Sequence, residues 1–139
     1  MKTQNKPKLC LLGNSYTLLQ SYQAFLSAQF QLQRVLLVEQ LRAKLISTKI
    51  FAVIIEVDSL SESEIHFAIA DILQQPTIPI VLVGKNMSTN TRKILMNSNH
   101  YYLFCYMEDK MNWESLNELT VELMRIYQLI EIVKSSKSK

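Results

Sequence analysis

Ile50-Phe51-Ala52-Val53-Ile54-Ile55-Glu56-Val57 is the stretch on which the fold turns. Apart from Glu56 its side chains are apolar, and most are β-branched. A half-exposed strand alternates apolar with polar residues. A run that is apolar at nearly every position suits a strand covered on both faces. Such a strand belongs inside a parallel sheet with helices above and below it.

Outward from that strand, runs of strand length alternate with amphipathic stretches of helix length. Towards the N-terminus, Lys8 to Gly13 reads as a first strand and Tyr16 to Phe30 as a helix. Leu18, Leu19, Tyr22, Phe25, Leu26 and Gln29 recur there at three- and four-residue steps, which stacks them on one face. Leu32 to Val38 reads as a second strand and Gln40 to Thr48 as a short helix. Towards the C-terminus, Ser61 and Glu64 have the spacing of a capping box opening a helix that ends before Pro76. Ile78 to Gly84 is a fourth strand, Ser88 to Met96 a helix, Tyr101 to Met107 a fifth strand, and Met111 to Val133 a last helix.

The order is β-α five times. Strands joined by single helices run parallel, and helices then cover both faces. The predicted fold is α/β, a (βα)5 three-layer sandwich of the flavodoxin-like, CheY-like kind with strand order 2-1-3-4-5. No repeat or long linker divides the chain, so residues 1–139 are expected to form one domain.

Composition narrows the function. Apolar residues make up 48% of the chain and the formal net charge is +3. The positive charges are scattered, so no basic stripe predicts direct nucleic-acid binding. Lys134, Lys137 and Lys139 sit among serines and read as a frayed, solvated tail. No apolar run reaches the length of a membrane span. Cys10 and Cys105 lie apart in apolar runs, without ligand spacing, and read as reduced core thiols. The expectation is a soluble, cytoplasmic protein with no metal and no membrane.

In an open parallel sheet the site lies beyond the carboxyl ends of the strands. Those ends are Gly13-Asn14-Ser15, Glu56-Val57-Asp58, Gly84-Lys85 and Phe104-Cys105-Tyr106. Gly13 and Gly84 are the chain's two glycines, so no glycine-rich phosphate loop exists. Gly13-Asn14-Ser15-Tyr16-Thr17 reads as a turn capping the first helix. Glu56 and Asp58 are the carboxylates at these ends. His66 falls on a helix and His100 before the fifth strand, without a serine elbow. Each reads as a surface or boundary residue. No catalytic residue and no cofactor are expected.

The five β-α units, with an acidic residue closing a very apolar third strand, resemble the receiver domain of two-component response regulators. The resemblance spans nearly the whole chain and rests on architecture and spacing. In that family an acidic pair ending strand one helps to hold Mg²⁺; Gly13 and Asn14 stand there. The phospho-accepting aspartate ends strand three; Glu56 takes its place. A switch serine or threonine ends strand four, and a lysine ends strand five; Gly84 and Cys105 occupy those positions, with Tyr106 where a proline usually follows. The resemblance therefore implies a receiver that no longer takes up phosphate. Asp58, as a shifted acceptor, has no better partners. Glu56 as a fixed imitation of the phosphorylated state lacks the lysine and hydroxyl through which a mimic acts.

Ile78-Pro79-Ile80-Val81-Leu82-Val83-Gly84, followed by a long terminal helix with Met124-Arg125-Ile126-Tyr127, is similar to the receiver-like N-terminal domain of FleQ/FlrA-type flagellar regulators. In that family the domain precedes an ATPase module acting with sigma-54 and then a DNA-binding module. Neither module is present in this sequence. The resemblance implies control of such an activator, either in the same full-length chain or as a separate protein.

The last helix adds a physical signal of its own. Leu116, Leu119, Leu123, Ile126, Ile130 and Val133 follow alternating steps of three and four, an a/d seam. Trp113, Met124, Tyr127, Leu129 and Ile132 add apolar surface beside it. A helix from 111 to 133 spans about 34 Å, against roughly 20 Å for a strand of six residues. One apolar stripe is expected to pack the first half of the helix on the sheet; the excess predicts a projecting apolar surface bearing Ile126, Leu129, Ile130, Ile132 and Val133, and a homodimer with parallel terminal helices whose interface is the seam with Tyr127. A free-standing receiver-like adaptor is the alternative, and a flavodoxin-like cofactor binder the third reading.

Overall fold

The computed structural model describes residues 6–13, 20, 24, 26–27, 29–74, 78–84, 88–96, 103–106 and 113–137. The strands are β1 (Lys8–Leu12), β2 (Gln31–Val35), β3 (Ala52–Glu56), β4 (Ile80–Val83) and β5 (Leu103–Tyr106). They form one sheet in the order β2-β1-β3-β4-β5, as the sequence predicts. Every neighbouring pair is parallel. Among the described residues, the helices with defined bounds are α1 (Val38–Ser47), α2 (Glu62–Leu73), α3 (Thr89–Met96) and α4 (Trp113–Lys137). The helix expected over residues 16–30 lies mostly outside the described residues; Gln20, Ala24 and Leu26 are helical.

β3 is buried at every position because helices cover both faces. On one face Cys10, Leu12, Val53, Ile55, Ile80 and Leu82 meet Leu41 and Leu45 of α1 and Ile65, Ala68, Ile69 and Ile72 of α2. On the other, Leu9, Leu11, Ala52, Ile54, Val81 and Val83 meet Leu26, Phe30 and the α4 residues Leu119 and Leu123. The alternation of β3 thus divides apolar residues between two cores rather than between core and water. Fully burying an aliphatic side chain contributes about 1.5–3 kcal/mol.

The expected strand limits overshoot at several ends. Leu36 and Leu37 follow β2 but are exposed. Their N–H groups donate to Gln40 Oε1 at 2.8 and 3.0 Å, which turns the chain into α1 at Val38. Phe51 stands just before β3 and packs against Phe30 and Tyr127, with ring centroids 5.9 and 5.3 Å apart. The capping box of α2 is present: Glu64 N–H donates to Ser61 Oγ at 3.1 Å, and Ser61 N–H donates to Glu64 Oε1 at 2.9 Å. Arg42 of α1 reaches Asp71 of α2 with Nη2–Oδ1 at 3.2 Å, the arginine exposed and the aspartate largely covered; such a pair at the surface contributes about 1 kcal/mol.

Cys10 lies in the core between β1 and α1. Burial pushes its thiol from 9.0 up to about 11, with Lys44 pulling weakly the other way. The folded chain therefore prefers the neutral thiol. Stability from this group is complete below pH 9 and declines as pH rises from 9 towards 11, because the unfolded chain ionises first. Urea unfolding at pH 8 and pH 10.5 is expected to show that decline, and Cys10→Val is expected to reduce it.

Candidate functional site at the strand ends

β1, β3 and β4 end together at one rim. Glu56, the last residue of β3, is only 2% exposed although it carries a carboxylate. Its side chain runs across the end of β1 and lies on Gly13. A Cβ built at Gly13 would stand 2.6 Å from Glu56 Cδ and 2.7 Å from its Cβ, and closer still to Oε1. Real Cβ contacts do not come that near. Gly13 is therefore the condition for Glu56 to lie where it does. The Gly13 backbone is held as well: its N–H donates to Val35 O at 3.1 Å, and Arg34 Nε donates to Gly13 O at 3.4 Å.

The end of β4 repeats this arrangement. After Glu56 the chain enters a 3-10 turn, Val57–Ser59, closed by Ser59 Oγ donating to Glu56 O at 3.1 Å. A Cβ at Gly84 would collide with Val57 Cγ2 and stand 3.1 Å from Asp58 Cγ. Val57 is buried and Asp58 exposed. Each of the two glycines thus receives side chains from the end of β3. A hydroxyl-bearing residue at 84 has no room while the turn keeps this position.

Asn14 lies outside the described residues. Cys105 is placed by its backbone alone, in register with Leu82 across β4 and β5. Of the six strand-end positions singled out in the sequence, the structure brings Gly13 to Glu56 and Gly84 to Asp58.

His66 is a half-buried boundary residue of α2. Its Nε2 lies 3.0 Å from Thr91 Oγ1 on α3 and 3.7 Å from Glu62 Oε1. Both contacts fall on one ring nitrogen. The carboxylate therefore does not orient the ring from the opposite nitrogen, as a nucleophile-activating relay requires. Thr91 was not singled out by the sequence; the α2–α3 packing that buries it is non-local. His100 lies outside the described residues.

The α4 seam is corrected in part. Leu119, Leu123 and Ile126 are buried within the chain, the first two against the sheet. They are core residues and not surface for a second copy. Tyr127 packs edge-on to Phe51, and Ile130 is half-buried. Val133 is exposed, together with Leu129 and Ile132. Leu116 is placed by its backbone on α4. A sheet face and a helix partner both demand one apolar stripe, and the core has taken Leu119, Leu123 and Ile126 of this one.

No protein-family model and no curated protein matches the chain. Solved structures do. A CheY-like response regulator receiver domain from Methanospirillum hungatei is similar with a TM-score of 0.68 at 9% identity, covering 89% of this chain and 98% of that one. The signal receiver domain of an HD domain-containing protein from Pseudomonas fluorescens has a TM-score of 0.68 at 20% identity, over 89% and 96%. A structure titled adenylate cyclase from Rhodopirellula baltica has a TM-score of 0.72 at 11% identity, over 97% and 99%. At these identities the likeness establishes the fold, which is the CheY-like receiver fold.

The Mg²⁺ that the receiver resemblance implies does not fit this rim. Mg²⁺ takes hard oxygen ligands in near-octahedral order. The space of a strand-one carboxylate at 13 is filled by Glu56. Among the described residues, no group of three or more His, Cys, Asp or Glu is placed to hold a metal ion.

Proposed function

We propose that this chain is a regulatory module of receiver fold that takes up no phosphoryl group and acts by protein contact. The observation that carries the reading is Glu56, buried against Gly13 at the position of a phospho-acceptor. A carboxylate must reach a phosphodonor in line to attack it, and this one is covered. Its Oε1, Cδ and Cβ lie on Gly13 at the end of β1, and Gly84, at the position of a switch hydroxyl, offers none through which a phosphate mimic would act.

Incubation with acetyl phosphate and Mg²⁺ is expected to leave the intact mass of the chain unchanged. Glu56→Asp is expected to stay unmodified too, because the neighbouring groups are absent. A phosphoryl adduct on Glu56 or Asp58 would overturn the reading.

In the same reading residues 1–139 act as one receiver-like unit in the cytoplasm, and the module self-associates through the far end of α4. The exposure of Leu129, Ile132 and Val133 together supports this surface. Control of a sigma-54-dependent activator of the FleQ/FlrA type is the finer reading. It is supported by residues 78–84 and by the long terminal helix. Co-purification with such an activator, or an ATPase module encoded beyond Lys139, would bear it out. Co-purification with neither, from cells containing one, favours the free-standing adaptor.

A further inference from the structure

Two contacts close a ring around α2 and α3. One lies at the rim, where Val57 and Asp58 pack on Gly84. The other lies further along the helices, where His66 meets Thr91 at 3.0 Å. The chain links the two contacts: the turn at Val57–Ser59 runs through Ser61 into α2, and Gly84 precedes Ser88 and α3 in sequence. The end of β3 and the end of β4 are thereby joined twice.

Thr91 is the centre of the second contact. It is 1% exposed. Its Oγ1 accepts from Ser88 Oγ at 2.9 Å and faces His66 Nε2, while its N–H donates to Ser88 Oγ at 3.0 Å. A buried hydroxyl is costly unless partnered. The partner on α2 is met only when α3 lies where it does. An isolated helix as short as Thr89–Met96 is marginal, so its docking governs its order. Arg92, Lys93 and Ile94 remain exposed on its outer side.

We propose that these contacts form a permanent clasp that sets the position of α3, with Gly84, Ser88, His66 and Thr91 as positioning residues. In place of a position that changes with a signal at the strand ends, α3 has one built into the fold. The clasp rests on the reading above for its regulatory meaning, and on its own geometry for its existence.

Amide hydrogen exchange on the whole chain tests it. Thr91→Val and His66→Ala are each expected to speed exchange at Arg92, Lys93 and Ile94 by about tenfold, leaving β3 amides unchanged. Thr91→Ser keeps the hydroxyl and is expected to stay near wild type. Gly84→Ala opens the ring at the other contact and is expected to speed the same α3 amides. Val57→Ala loosens that contact without overpacking and serves where Gly84→Ala does not fold. Unchanged α3 exchange in Thr91→Val overturns the clasp. A response to Thr91→Val but to neither rim variant overturns the ring. No phosphodonor enters these measurements, so their failure leaves the phosphotransfer reading standing, whereas a phosphoryl adduct sinks that reading alone.

Discussion

Gly13→Asp is expected to lower the unfolding free energy by about 3 kcal/mol or more. It places an acidic side chain at the end of β1, and the structure has nowhere to put it. The new Cβ would meet Glu56 Cδ at 2.6 Å. Gly13 cannot easily retreat, since Val35 O and Arg34 hold its backbone on either side. The added carboxylate would also face the buried one already present, a like-charge contact in a poorly solvated place. Gly13→Ala isolates the steric part and is expected to cost about 1–3 kcal/mol. Adding Glu56→Ala to Gly13→Asp is expected to recover part of the loss. Recovery is incomplete because Cβ of residue 56 remains 2.7 Å from the added one. Urea unfolding of the single and double variants measures the coupling. Wild-type stability in Gly13→Asp would show that Glu56 moves aside freely and that the rim is not closed.

Ile126→Glu and Ile132→Glu are expected to part company, although both change an apolar residue on one helix. Ile126 is 1% exposed, and a charge there is expected to cost about 3–5 kcal/mol. Ile132 is 61% exposed, and a charge there is expected to change folding stability by no more than about 0.5 kcal/mol. Ile132→Glu is instead expected to lower the sedimentation mass to that of a monomer. An unchanged dimer mass in Ile132→Glu, or a monomeric wild-type chain, rejects self-association through this end of α4. Loss of mass without loss of stability is the signature that separates a contact between copies from core packing.

The sheet was legible because β3 carries its environment in its own composition: only a strand with helices on both faces stays apolar at Val53, Ile54 and Ile55 alike. The Ser61–Glu64 box was legible because a cap is a local matter of four consecutive residues. The ends of β2 were not, because Leu36 and Leu37 look like strand residues until Gln40 accepts both their N–H groups. The seam of α4 was read as longer than the domain needs. The spacing of Leu119, Leu123 and Ile126 is real, but periodicity records a stripe without recording what covers it. The strand-end positions were read from the sequence as departures from a pattern. The closeness of Glu56 to Gly13 was not, because that contact joins two strands. His66 and Thr91 illustrate the same limit, since neither acquires its meaning until α2 and α3 lie side by side.

The seating of Glu56 on Gly13 makes the two positions inherit each other's constraints. A change at 13 alone is obstructed while 56 keeps its side chain, and a change at 56 alone empties a buried space without supplying an acidic neighbour. A mutational path towards a phosphate-accepting rim would therefore cross a poorly folded intermediate unless both positions changed in one step. Gly84 places a second such barrier on the path, since Val57 and Asp58 have already taken the room of a hydroxyl. The geometry couples the positions, so that a side chain enters at one only as another gives way.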